Sequence, residues 1–251
     1  MKKLTVITIL FIVIFTFGCK TGQNNNGENI NTEIVEEEYF FPEELTYNQS
    51  VSEVLVNKFY PIGWSKDGNF AYITEPADEG LGNYMVGVVI VNLVSDEILW
   101  SWYTDPVVDE DLYREDIWKK HYDDFKENLN KYGIIQVRKI KMEDTYFSYE
   151  KNDYVVRVET KTEEDPDLNI DLIMGCDIFI KSPQLGEKKI ASVEYEQSLI
   201  LGQQISGCLI SPFEDRIVVI IKNERWGYEG PPDVVEFEIY GSNLTTGFQQ
   251  Q

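Results

Sequence analysis

The chain has 251 residues, with 44 Asp and Glu against 22 Lys and Arg, one histidine and a formal net charge of −22. A body this acidic repels phosphate backbones and anionic headgroups, which argues against nucleic-acid binding and against a polybasic membrane mode. One imidazole cannot furnish a multi-histidine zinc site.

Met1-Lys2-Lys3 makes a short basic start, and Leu4 to Phe17 is apolar apart from threonines. As a helix that run would span roughly 21 Å, short of the roughly 30 Å of a hydrocarbon core. A basic n-region, a short apolar h-region and a small residue, here Gly18, describe a secretory signal over residues 1–18. Cys19 follows, and the junction resembles the lipobox of bacterial lipoproteins. The resemblance implies acylation of the Cys19 thiol, with palmitate-type chains as membrane anchor. Thr16 and Phe17 depart from the leucine and the small residue usual in that box. The alternatives are an ordinary signal peptide with an incidental cysteine, or an uncleaved anchor. Residues 19–39 are rich in Asn and Glu and read as a flexible polar tether. Loss of the leader, with Lys2 and Lys3, takes the net charge from −22 to −24.

The folded body is expected over residues 40–244 as one β-rich domain, with a disordered tail at 245–251. "FAYITE" (70–75), "YMVGVVIVNLV" (84–94), "EILWSWY" (97–103), "IIQVRKIKM" (134–142), "YVVRVETK" (154–161), "IDLIMGCDIFIK" (170–181), "KIASVEYE" (189–196), "RIVVIIK" (216–222) and "VVEFEIYG" (234–241) read as strands. They are rich in β-branched and aromatic residues, and Lys66-Asp67-Gly68-Asn69, Val94 to Glu97, Pro183 to Glu187 and Pro212 to Asp215 supply turns. One long amphipathic helix is predicted at about 109–132. There Trp118, Tyr122, Phe125, Leu129 and Tyr132 fall on one face, Asp109, Glu110 and Asp111 suit the N-terminal dipole, and Gly133 suits the C-terminal cap. The aromatic stripe is expected to dock on a sheet.

"GWSKDGNFAYI" (63–73) resembles the blade motif of TolB-type propellers, in which a strand ends in a Trp/Phe-Ser-x-Asp-Gly turn and a second strand returns. "VVIVNLVSDEILW" (88–100) is similar to the strands that close such a unit. "LISPFEDRIVVII" (209–221) resembles a second copy of the turn, and "CDIFIKSPQLGEKKIAS" (176–192) a second copy of the closing strands. A propeller needs at least four blades, so the expectation is blade-like antiparallel sheets, an incomplete propeller or sandwich. More broadly, "FYPIGWSKDGNFAYI" with Tyr228-Glu229-Gly230-Pro231 resembles a family of predicted secreted bacterial proteins of unknown function. That resemblance implies secretion and fold, and supplies no activity.

Candidate chemistry is sparse. His121 lies beside the helix stripe, and G-x-S-x-G, phosphate-loop and dinucleotide motifs are missing. A paired-carboxylate mechanism stays open, with no pair nominated. Asp165, Asp167, Asn169 and Asp171 place oxygens at alternate positions, as a calcium loop begins, but Ile170 and Cys176 stand where an EF-hand has glycine and glutamate. They are expected as a calcium site or as a plain polar turn. Cys176 and Cys208 are expected either as a disulfide, which an oxidising compartment permits, or as two buried thiols. Trp226 and Tyr228 are expected either to contact a partner or to cap a sheet end. The reading is a non-enzymatic, lipid-anchored envelope module facing periplasm or exterior, without a cofactor, that binds a protein or glycan partner. The rivals are a secreted carboxylate-based hydrolase and a calcium-dependent adhesion module.

Overall fold

The computed structural model describes residues 33–34, 40–45, 54–80, 84–105, 107–109, 112–166, 169–196, 198–227 and 230–250. In chain order the elements are β1 (Glu33–Ile34), β2 (Leu55–Val56), β3 (Lys58–Trp64), β4 (Asn69–Glu75), β5 (Gly87–Asn92), β6 (Glu97–Tyr103), α1 (Arg114–Lys120), α2 (Tyr122–Lys131), β7 (Ile135–Arg138), β8 (Met142–Glu143), β9 (Tyr146–Tyr149), β10 (Asn152–Asp165), β11 (Ile170–Ser182), β12 (Gly186–Glu194), β13 (Ile200–Ile210), β14 (Arg216–Arg225) and β15 (Val234–Asn243). The protein is mainly β. It has a six-stranded sheet β1-β7-β3-β4-β5-β6, a five-stranded sheet β2-β15-β14-β13-β8 and a four-stranded sheet β12-β11-β10-β9. Every pairing is antiparallel except β2 with β15.

Side-chain alternation stacks these sheets. β14 is apolar from Ile217 to Ile221, the pattern of a strand covered on both faces. Val218 and Ile220 point into a core shared with Phe59, Phe70, Val89 and Val91 of the six-stranded sheet. Ile217, Val219 and Ile221 point the other way, to Tyr154, Val156, Ile178 and Ile180 of the four-stranded sheet. The far face of the six-stranded sheet, with Ile62, Ala71, Ile73, Val88 and Ile90, is covered by Ile117, Trp118, Phe125 and Leu129 of the helices. The order is therefore helices, six strands, five strands, four strands. Each fully buried Val, Ile or Leu contributes about 1.5–3 kcal/mol, so the central sheet, buried on both faces, contributes most per strand.

A bulge in β3 lets one strand serve two layers. Tyr60 and Ile62 face the helices, yet Trp64 faces the five-stranded sheet. The register slips between Pro61 and Gly63, which reverses the alternation. Gly63 lies so near β7 that a Cβ there would sit 2.0 Å from the Ile135 carbonyl oxygen.

The resemblance between the two Ser-containing turns extends into the structure. Ser65 Oγ accepts from the Asn69 N–H at 2.8 Å, and Gly68 (φ 93°) closes the reversal. In the second copy Ser211 Oγ accepts from the Phe213 N–H at 3.3 Å. The Gly68 carbonyl accepts from Leu93 N–H at 2.7 Å, and the Asp215 carbonyl accepts from Leu244 N–H at 2.8 Å. Before each leucine stands an asparagine that caps the next turn. Asn92 Oδ1 accepts from Val94 and Ser95, and Asn243 Oδ1 from Thr245 and Thr246.

Three expectations need correction. The predicted long helix is two, broken at His121. The segment before Arg114 folds instead into a turn in which Asp109 N–H donates to the Asp105 carbonyl at 2.8 Å. The predicted stripe does face the sheet, and Gly133 (φ 67°) does close α2. The tail expected to be disordered is bonded into the fold: Gln249 and Glu187 exchange backbone hydrogen bonds at 3.0 and 3.1 Å, and Phe248 packs on Tyr154. The expected tether is gripped at Glu33–Ile34, which pair with β7. Of the two alternatives left open for Cys176 and Cys208, the structure has the two buried thiols, on strands of different sheets.

Candidate functional site

The densest charged cluster surrounds Glu75, the last residue of β4, which is only 8% exposed. Lys58 is its cross-strand partner on β3, and Tyr60 lies two residues on, on the same face of that strand. Lys58 Nζ reaches Glu75 Oε1 at 2.9 Å, while Tyr60 Oη donates to Oε2 at 3.0 Å and Arg114 Nη1 reaches Oε2 at 3.3 Å. Arg114 also donates to Tyr60 Oη at 2.5 Å, and its backbone N–H donates to Tyr84 Oη at 3.1 Å. Tyr60 stands 3.3 Å from Glu44 Oε2 as well, so one phenol touches two carboxylates. A recess of about 440 Å³ opens here, lined by Lys58, Glu75, Tyr84, Tyr113, Arg114 and Asp116.

The electrostatics follow from this geometry. Burial alone would push the Glu75 carboxyl up, but hydrogen bonds and charge from Lys58, and the phenols of Tyr60 and Tyr84, hold it below its usual range. Burial, with Glu75 beside them, pushes both phenols upward. Glu75 is thus an ionised, fully bonded carboxylate. A proton-donating carboxyl needs the opposite shift, which favours a clamp between α1 and the sheet over one half of a catalytic acid pair.

His121 takes part in a second cluster. Its Nε2 is 2.9 Å from Asp109 Oδ1, which also accepts from Lys120 Nζ at 2.7 Å, and the ring packs on Trp102 at 4.7 Å. Burial opposes the Asp109 charge, and the bonds from His121 and Lys120 overcome it, holding the carboxyl low. The cluster locks the 105–109 turn to the junction of the two helices.

The residues nominated from sequence fall apart in space or into turns. Asp165 ends β10, Asn169 (φ 52°) donates its N–H to the Asp165 carbonyl at 2.8 Å, and Asp171 is the second residue of the return strand. That is turn chemistry, and among the described residues no group of three or more His, Cys, Asp or Glu could hold a metal. Asp167, Tyr228 and Cys19 lie outside the described residues. Trp226 is half-buried, with its N–H on the Leu199 carbonyl at 2.9 Å. Burial pushes the Cys208 thiol up to about 12 and also raises that of Cys176.

Sequence reading missed the Glu75 cluster, whose members come from five separate segments. The faint signal was Lys58 and Tyr60 alternating on a strand opposite a strand ending in glutamate. It also missed a polar seam between sheets, where Tyr195 and Tyr240 both donate to Glu238 Oε2, at 3.0 and 2.8 Å, and Gln203 bridges Tyr195 and Asn223. No protein-family model, curated protein or solved structure matches the chain.

Proposed function

We propose that the protein is a lipid-anchored module of the cell envelope that binds or scaffolds a partner outside the cytoplasm and performs no chemistry of its own. The N-terminal basic, apolar and Gly18-Cys19 sequence supports the anchor. The observation that supports a structural rather than a chemical role for the charged recess is the saturation of Glu75: both its oxygens are bonded to Lys58, Tyr60 and Arg114. Glu33–Ile34 pair with β7. From Cys19 to that point the chain can reach at most roughly 50 Å, enough to hold an acidic body clear of anionic headgroups. Partner contact is assigned to the 226–232 loop carrying Trp226 and Tyr228, beside Leu199.

Labelling with radioactive palmitate in cells tests the anchor. Incorporation into the parent chain and its loss in Cys19→Ala is the expected result. Equal labelling of both, or of neither, would overturn the reading.

A further inference from the structure

We propose that the recess between the far end of the β10–β11 hairpin and residues 198–199 is a docking groove for an extended polypeptide segment in which cationic and aliphatic side chains alternate. The proposal deepens the binding role above and rests on it. The recess measures about 560 Å³ and is lined by Glu163, Glu164, Asp165, Leu172, Met174 and Leu199, with Pro166 and Ser198 at its margin. The lining therefore mixes carboxylates with aliphatic side chains, Glu163 standing directly across from Leu172 in the hairpin, and it contains no cation.

Two of these acids, Glu163 and Glu164, differ from those on the rest of the same sheet. Nearer the body, Arg157 pairs with Glu159 and Glu187, Lys161 with Glu194, and Lys189 with Asp177. Among the described residues no lysine or arginine pairs with Glu163 or Glu164, and both are exposed. Leu199 faces them with 51% of its surface open, while its carbonyl is held by Trp226 N–H. A pinned backbone with an outward leucine gives the groove a fixed apolar contact, continuous with the Trp226 loop.

The occupant follows from charge and backbone. A second copy of a chain of net charge −22 would set acids against acids. A bare metal ion would find no use for Leu172, Met174 and Leu199. β9 pairs with β10 only from Asn152 to Val155, so among the described residues the far half of β10 has a strand on one side only. That open edge offers backbone groups to an added strand beside Glu163 and Glu164. An extended segment bearing lysine or arginine beside leucine-like side chains satisfies all three features.

The test uses the full chain in neutral detergent and a fluorescent decapeptide of alternating lysine and leucine, read by anisotropy at low salt. Lysine–serine and glutamate–leucine decapeptides are the controls. The expected result is binding of the lysine–leucine probe at least about tenfold tighter than either control, weakened about tenfold in Glu163→Gln/Glu164→Gln and comparably in Leu199→Ser. All three positions are exposed, so folding is not at stake. Variants that bind as the parent does, or a lysine–serine peptide that binds equally well, would overturn the groove. A chain that takes up palmitate at Cys19 yet shows no such preference refutes the groove alone. A chain that shows the preference without lipid refutes the anchor alone.

Discussion

Replacing Glu75 by glutamine tests the clamp directly. The carboxylate is 8% exposed and bonded to Lys58, Tyr60 and Arg114. Removing one partner of a fully buried ion pair costs about 3–5 kcal/mol. Here the Lys58 and Arg114 side chains remain 39% and 33% exposed and can turn to water, so the expected loss is roughly 2 kcal/mol. For a domain of this size that corresponds to a fall in Tm of about 4–8 °C. The pH dependence has a definite sign. The folded carboxyl is held below its ordinary 4.5, so the unfolded chain binds the proton more tightly. The stability it contributes is present above about pH 4.5 and is lost as pH falls through the folded value. Urea unfolding at pH 7, 5 and 3.5 should show the gap between parent and Glu75→Gln closing as pH falls. A variant within about 0.5 kcal/mol of the parent at pH 7, or a gap that does not change with pH, would refute the clamp.

Other substitutions probe the frame that positions these features. Gly63→Ala places a Cβ 2.0 Å from the Ile135 carbonyl oxygen, and should cost at least about 3 kcal/mol or abolish soluble expression. Unfolding within about 1 kcal/mol of the parent would show that β7 yields easily. Asn243→Ala removes the acceptor for the N–H groups of Thr245 and Thr246, with an expected loss of roughly 1–2 kcal/mol by denaturant titration. No change would mean that water replaces the cap. Cys176 and Cys208 are both fully buried, so they should resist a thiol reagent in the folded protein and react together on unfolding without reductant. Silence after unfolding would indicate a disulfide.

Strand content was legible where alternation or a continuous apolar run was strong. "RIVVIIK" is the clearest case, because a strand covered on both faces needs apolar residues at successive positions. Boundaries failed where pairing, rather than sequence, holds the strand: β10 continues through Glu163 and Glu164 because β11 bonds it, although its exposed half has no apolar pattern. The single helix failed because its spacing runs unbroken through His121, whereas the residue at the break bonds Asp109 and packs on Trp102, contacts with other elements that spacing does not show. Asp109 itself looked like a dipole-facing acid and is an interior acceptor. The tail looked polar apart from Phe248, and that one ring, with the Gln249 bridge, fastens it. The Ser-x-Asp-Gly turn was readable because its chemistry is local. The Glu75 cluster was not, because its geometry depends on how five segments meet.

Under the function proposed above, acyl chains at residue 19 hold this acidic β body at a membrane. Cloud-point detergent partitioning of protein made in a bacterial host measures this most directly. The parent should enter the detergent-rich phase, and Cys19→Ala should stay in the aqueous phase. Parent protein recovered from the aqueous phase with Met1 intact would contradict the claim.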